Sequence, residues 1–180
     1  MFEVPVHAFI DESGRDGAYI VCVSVVDPAQ LVPTRKQLAA LLLPGQRELH
    51  FKKEKPRRRR LLADRIAALP AISWIYTTSC TPKTEEQDRQ RCLAEAVRDL
   101  VAAGAHRVVI DSRQEQDRHD QATIYRVLGT YETSPPVVHQ HHESTATPLL
   151  WIPDAVAWCY GAGGDWRRRV SAGIGRITQL

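Results

Sequence analysis

Two short apolar runs in this chain end on an aspartate, Phe9-Ile10-Asp11 near the start and Val109-Ile110-Asp111 past the middle. Both runs read as strands. If they lie as parallel neighbours about 4.8 Å apart, their carboxylates share one sheet edge and repel each other, and a divalent cation resolves the repulsion. Open α/β sheets gather their chemistry at the carboxyl ends of strands, where Glu48 and Asp154 form a second acidic pair that surrounding segments can bring in. Carboxylate oxygens suit hard ions, so the expected cofactor is Mg2+ or Mn2+, with Asp11, Glu48, Asp111 and Asp154 as ligands and catalytic groups. Two such ions about 3.5 to 4 Å apart activate a water, offset phosphate charge and stabilise a leaving oxygen. In that scheme Asp11 bridges both ions, Glu48 and Asp111 hold one, and Asp154 holds the other. Each residue alone has a plainer reading. Asp11 beside Ser13-Gly14 suits a turn, Asp154 after Pro153 suits a first helical turn, and Glu48 suits an ordinary surface. The ordered set is what points to metal.

The formal net charge of +3 is unevenly placed, because residues 52–60 carry seven basic side chains against one acidic. Lys52, Lys53, Arg57, Arg58, Arg59 and Arg60 are the expected contacts to a nucleic-acid backbone, giving strong salt dependence and little sequence choice. The same arginines also suit the solvated first turns of a helix. Trp166 with Arg167, Arg168 and Arg169 fits stacking on a single strand, and equally the packing of a terminal helix. Glu12 points away from Asp11 if the strand continues, which leaves it an accessory role at most. His50, two residues after Glu48, is a candidate for substrate contact or proton transfer. His139, His141 and His142 invite a zinc reading, but three histidines without an evident fourth ligand make a poor set.

The elements that must position these groups follow from pattern. Val4 to Ile10 and Ala18 to Val26 flank Asp16-Gly17 and predict an antiparallel hairpin. Leu31, Leu38, Leu41 and Leu42 mark a helix closed by Pro44-Gly45, and a second helix is expected from about Arg57 to Leu69. Ile72 to Thr78 reads as a third strand. Thr84 to Gln87 is a capping box opening a helix through Leu100 to Gly104. Arg107 to Ile110, a helix to Gly129, a strand from Val137 to Glu143 led in by Pro135-Pro136, and a last helix carrying Pro153 and Asp154 complete the series. Right-handed crossovers make the later strands parallel. The expectation is an α/β fold with a mixed five-stranded sheet and flanking helices, in one domain over residues 1–180. A chain of that length buries roughly 70% of its unfolded surface without staples. Cys22, Cys80, Cys92 and Cys159 show no paired spacing and read as reduced thiols. Met1 to Pro5 lacks a basic leader, and the longest apolar run, Ala18 to Val26, is too short for a bilayer, so a cytoplasmic protein with no membrane partner is expected.

Phe9-Ile-Asp-Glu-Ser-Gly14, Glu48-Leu-His50, Val109-Ile-Asp111 and Ile152-Pro-Asp-Ala155 together resemble the bacterial "domain of unknown function 3800" family within the ribonuclease H-like superfamily. The resemblance covers nearly the whole chain. It implies a ribonuclease H-like fold with a metal-dependent acidic centre. In many ribonuclease H-like enzymes the glutamate comes from the helix after the third strand, which here makes Glu95 the alternative to Glu48. The final aspartate usually sits in a Leu-Ala-Asp-Leu-like context, whereas here it follows Pro153.

Competing chemistries lack their residues. There is no Gly-x-Ser-x-Gly elbow and no Gly-rich Lys-Ser/Thr phosphate loop. An aspartyl-phosphate mechanism resembling the haloacid dehalogenases wants an aspartate two positions after Asp11, where Ser13 stands. The function expected is a metal-dependent nuclease or related phosphodiester-processing enzyme. The runner-up is a non-catalytic nucleic-acid or protein-binding module on the same fold.

Overall fold

Asp16 and Gly17 both take positive φ, 50° and 75°, the mirror-image turn whose twist matches a hairpin. Arg15 therefore pairs with Ala18, closing β1 (Val6–Arg15) onto β2 (Ala18–Val26). The computed structural model describes residues 6–133 and 136–180. Val4 and Pro5 of the first predicted strand, the Met1 to Pro5 leader reading, and Pro135 lie outside the described residues.

After α1 (Leu31–Ala39) and α2 (Pro56–Ala67), β3 (Ala71–Ser79) pairs antiparallel with β2. Next come α3 (Glu85–Ala102), β4 (Ala105–Asp111), α4 (Asp117–Leu128) and β5 (Val138–His142). The chain ends with α5 (Trp151–Ala162), α6 (Gly164–Val170) and β6 (Ile174–Gln179). The sheet order is β5-β4-β1-β2-β3-β6, with β4 parallel to β1, β5 to β4 and β6 to β3. Every strand except β2 thus runs the same way. The four cysteines are free, and among the described residues no helix is long and apolar enough to cross a membrane.

The predicted sheet of five strands is corrected to six. Ile174–Gln179 has no buried residue, so it lacks the apolar signal of an interior strand. It joins through backbone pairing to the edge of β3, and Gly175 permits the approach: a Cβ there would lie 2.6 Å from Ile72 Cγ2. A second correction concerns β1. Asp11 does not end it, because hairpin pairing with β2 carries the strand four residues further, while the β4 pairing stops at Ile10–Ile110.

Strand alternation gives the sheet two distinct faces. Phe9 and Val109 join one core with Leu62 and Ile66 of α2 and most of α5. Ile10 and Ile110 join the other, with Leu93 and Val97 of α3 and Ile124 of α4. Asp11 and Asp111 consequently face α5, whereas Glu12 faces α3 and α4.

Candidate metal centre

Asp11 and Asp111 follow the last paired residues of two parallel neighbours, Ile10 and Ile110, and so stand side by side on the α5 face. Asp154 approaches from the first turn of α5, the single charged residue in a helix of twelve. One such carboxylate in an apolar helix costs free energy unless something offsets it. The Phe51 backbone N–H donates to Asp154 Oδ2 at 2.9 Å. Phe51 and Leu49 are anchored in the core, and in extended backbone the alternate residues Glu48 and His50 face the other way. His50 Nδ1 lies 4.0 Å from Asp154 Oδ2, and the Ser144 hydroxyl donates to Glu48 Oε2 at 2.5 Å.

The electrostatics of this group are one-sided. Burial, then the charges of Asp154, Glu12 and Asp111, push the Asp11 carboxyl well above its usual range, against a bond from the Glu12 N–H. Burial and the charges of Glu12, Asp154, Glu48 and Asp117 push Asp111 up to about 7. Asp154 is also raised, chiefly by burial, although the Phe51 N–H and His50 oppose the shift. No lysine or arginine lies within ion-pairing distance of Asp11, Glu48, Asp111 or Asp154 among the described residues. Four carboxylates that feel one another without a lysine or arginine partner, all offering hard oxygens, fit a divalent ion.

Across the sheet, at the same strand ends, the chemistry is reversed. Arg89 is 2% exposed and clamps the fully buried Asp120 with both terminal nitrogens. It also reaches Glu12 Oε2 at 2.9 Å. Arg113 lies 3.1 Å from Glu12, 3.3 Å from Glu86 and 3.7 Å from Asp120. His141 Nε2 is 3.3 Å from Asp120. Although burial opposes it, these partners hold Asp120 well below the usual carboxylate range. Among the described residues, Asp117, Asp120 and His141 are the set whose ligand atoms all lie within 4.8 Å of one another. The α5-face quartet is spread more widely. The tight set already has its cations, two guanidiniums, so an added ion would have to displace them.

The remaining candidate residues divide between the two faces of the sheet. Glu12 faces away from Asp11 and lies in the arginine network. Glu95 sits on α3, against the other face of the sheet from Asp11, and pairs with Arg98 at 2.8 Å. His139 and His141 share the α4 face, where His139 stacks edge-on to Tyr125, while His142 bonds Thr147 on the opposite face. The three histidines therefore do not converge. The basic run also divides. Lys52, Lys53, Arg57 and Arg60 are exposed, whereas Arg58 bonds Glu54, Leu41 O and Gln46, and Arg59 Nε bonds Glu54 O at 2.8 Å. Arg167 bonds Tyr160 O, and Arg168 and Arg169 pair with Asp165. Arg89 on α3, Asp120 on α4 and Arg113 in the turn after β4 had no signal in the sequence, because polar residues there are indistinguishable from solvated ones until the helices pack together.

No family model matches this sequence, and no curated protein does. Among solved structures, the chain is similar to ribonuclease HII in the PCNA:RNase HII complex from Archaeoglobus fulgidus. The two are 20% identical with a TM-score of 0.57, over 84% of this chain and 69% of that one. The fold is ribonuclease H-like.

Proposed function

We propose that this chain is a metal-dependent nuclease, or a related phosphodiester-processing enzyme, in the cytoplasm, whose centre is Asp11, Glu48, Asp111 and Asp154. The observation that carries the reading is the convergence on one sheet face of four carboxylates that, among the described residues, have no lysine or arginine partner and only His50 beside Asp154, on a ribonuclease H-like fold. The narrower likeness to the "domain of unknown function 3800" family belongs to the same reading, resting on Phe9 to Gly14 and Glu48 to His50.

Mg2+ or Mn2+ bound by these carboxylates supplies charge neutralisation at a phosphate and a more acidic water. The chain's own part is to hold the ligands. Asp11 and Asp111 are fixed by the pairing of β1 and β4, Asp154 by the Phe51 N–H, and Glu48 by the Ser144 hydroxyl. Exposed Lys52, Lys53, Arg57 and Arg60 supply the electrostatic attraction for a polyanion beside that centre.

The test is cleavage of labelled single- and double-stranded DNA, RNA and hybrid with Mg2+, Mn2+ or EDTA. Wild-type protein is expected to cut at least one substrate only with metal, and Asp11→Asn and Asp111→Asn are each expected to lose more than about a thousandfold of that activity. Unchanged cleavage in both variants overturns the assignment.

A further inference from the structure

Three guanidiniums meet at one aromatic pair beside this centre. Arg15 and Arg59 each place Cζ 4.7 Å from the centroid of Trp158, and Arg59 and Arg60 each lie 5.8 Å from Trp166. The two indoles themselves meet edge to face at 5.3 Å. Among the described residues no carboxylate lies within ion-pairing distance of Arg15, Arg59 or Arg60, although Asp64 and Asp165 nearby are both taken by Arg169. Like charges gathered without a counter-ion repel, and the ring faces offset that only in part.

The position of this cluster follows from the elements that carry the carboxylates. Trp158 lies four residues after Asp154 on α5, just over one turn or about 6 Å along the same helix face. Arg15 lies four residues after Asp11 on β1 and so shares its face of the sheet. Gly161 lets the strand end pack down onto the helix. A Cβ there would stand 3.0 Å from Ile20 Cδ1 and 4.0 Å from Arg15 Cβ. Strand and helix thus both lead from the acidic centre towards the arginines, by about 13 Å along the strand and about 6 Å along the helix.

We infer that Arg15, with Arg59 and the Trp158 face that holds them both, is a phosphate-binding site for the nucleic-acid strand as it leaves the carboxylate centre. The inference deepens the nuclease reading and takes its substrate class from it. Arg15 is separate from the basic run at residues 52–60 and comes from the hairpin end. Its guanidinium has no hydrogen-bonding partner among the described residues, which leaves its donors available for phosphate oxygens.

The experiment is fluorescence anisotropy with a fluorescein-labelled single-stranded oligothymidylate, titrated over a range of salt in EDTA, where metal-dependent cleavage does not occur. Arg15→Gln is expected to weaken binding about tenfold and to reduce the salt slope by about 0.7, the loss of one phosphate contact to a single strand. Arg15→Lys is expected to restore the slope. Arg126→Gln, an exposed arginine on the far side of the sheet, is expected to bind as wild type does. Thermal melting of each variant separates lost binding from lost fold. The inference is overturned if wild type does not bind, if Arg15→Gln binds with wild-type affinity and slope, or if Arg126→Gln loses as much. Absence of metal-dependent cleavage with the Arg15 effect intact would remove the nuclease reading and leave the phosphate site standing.

Discussion

The two faces of the sheet, at the same ends of β1 and β4, hold similar numbers of carboxylates and treat them in opposite ways. On the α3–α4 face, Glu12 and Asp120 meet Arg89 and Arg113, and Asp120 is held strongly acidic. On the α5 face, Asp11, Asp111 and Asp154 meet one another, and all three are pushed up. Proximity alone therefore does not identify a metal site. Among the described residues, the tightest carboxylate and histidine cluster is the one already neutralised by arginines, and the looser set has no lysine or arginine partner. Removing one partner from a buried ion-pair network is costly, whereas an uncompensated carboxylate group costs stability as it stands, and that cost is what the proposed metal would relieve.

The largest effect that separates the two faces concerns Arg89. Arg89→Met leaves the buried Asp120 without its bidentate partner and with Arg113 alone at 3.7 Å, and a loss of about 3–5 kcal/mol is expected, or a melting temperature lower by about 10 °C, with or without Mn2+. A small change would show that the network is not structural. Asp111→Asn should act in the other direction. It removes a repelled charge, so the metal-free variant is expected to melt higher than wild type at pH 8.

A pH series sharpens the same contrast. Asp111 rises from an ordinary 3.8 to about 7, so the folded state holds its proton more tightly than the unfolded state does. Stability then falls as pH rises from about 4 to 7 and levels off above, by roughly 1–2 kcal/mol once solvent screening is allowed for. Asp11 and Asp154 act in the same sense. Asp120, lowered, contributes stability that is complete above its unfolded value near 4 and is lost only as pH falls through its folded value. The metal-free protein should therefore melt highest at mildly acidic pH, and Mn2+ should raise the melting temperature more at pH 8 than at pH 5. Equal Mn2+ shifts at both pH values would contradict this.

A smaller effect is expected at Ser144, whose hydroxyl holds Glu48 from a loop 96 residues away in sequence. Ser144→Ala should weaken metal affinity about tenfold, in the range found for groups that orient a ligand from behind. Unchanged affinity would mean that Glu48 needs no such support, or holds no metal.

Much of the α5 face was legible in the sequence, because apolar runs ending in Asp11 and Asp111 read as parallel strands and a single aspartate in an apolar helix stands out at position 154. The opposite face was not. Arg89 and Asp120 are 31 residues apart on separate helices, and only packing shows that both are buried. Arg58 and Arg59 look like solvated charge until Leu41 O and Glu54 O are found to accept from them. Thr84 opens α3 as the capping box predicts, but its hydroxyl accepts from the Thr81 N–H instead of capping the helix, because the preceding turn competes for it. β6 escaped detection because an edge strand held by backbone pairing needs no apolar pattern.

The most direct measurement is calorimetric titration with Mn2+ of wild type, Asp11→Asn, Asp111→Asn and His141→Gln. Saturable binding to wild type and His141→Gln, lost in both aspartate variants, is the expected result and places the ion on the α5 face. Binding that survives Asp111→Asn but disappears in His141→Gln, or no binding to wild type, would contradict the assignment of the metal centre.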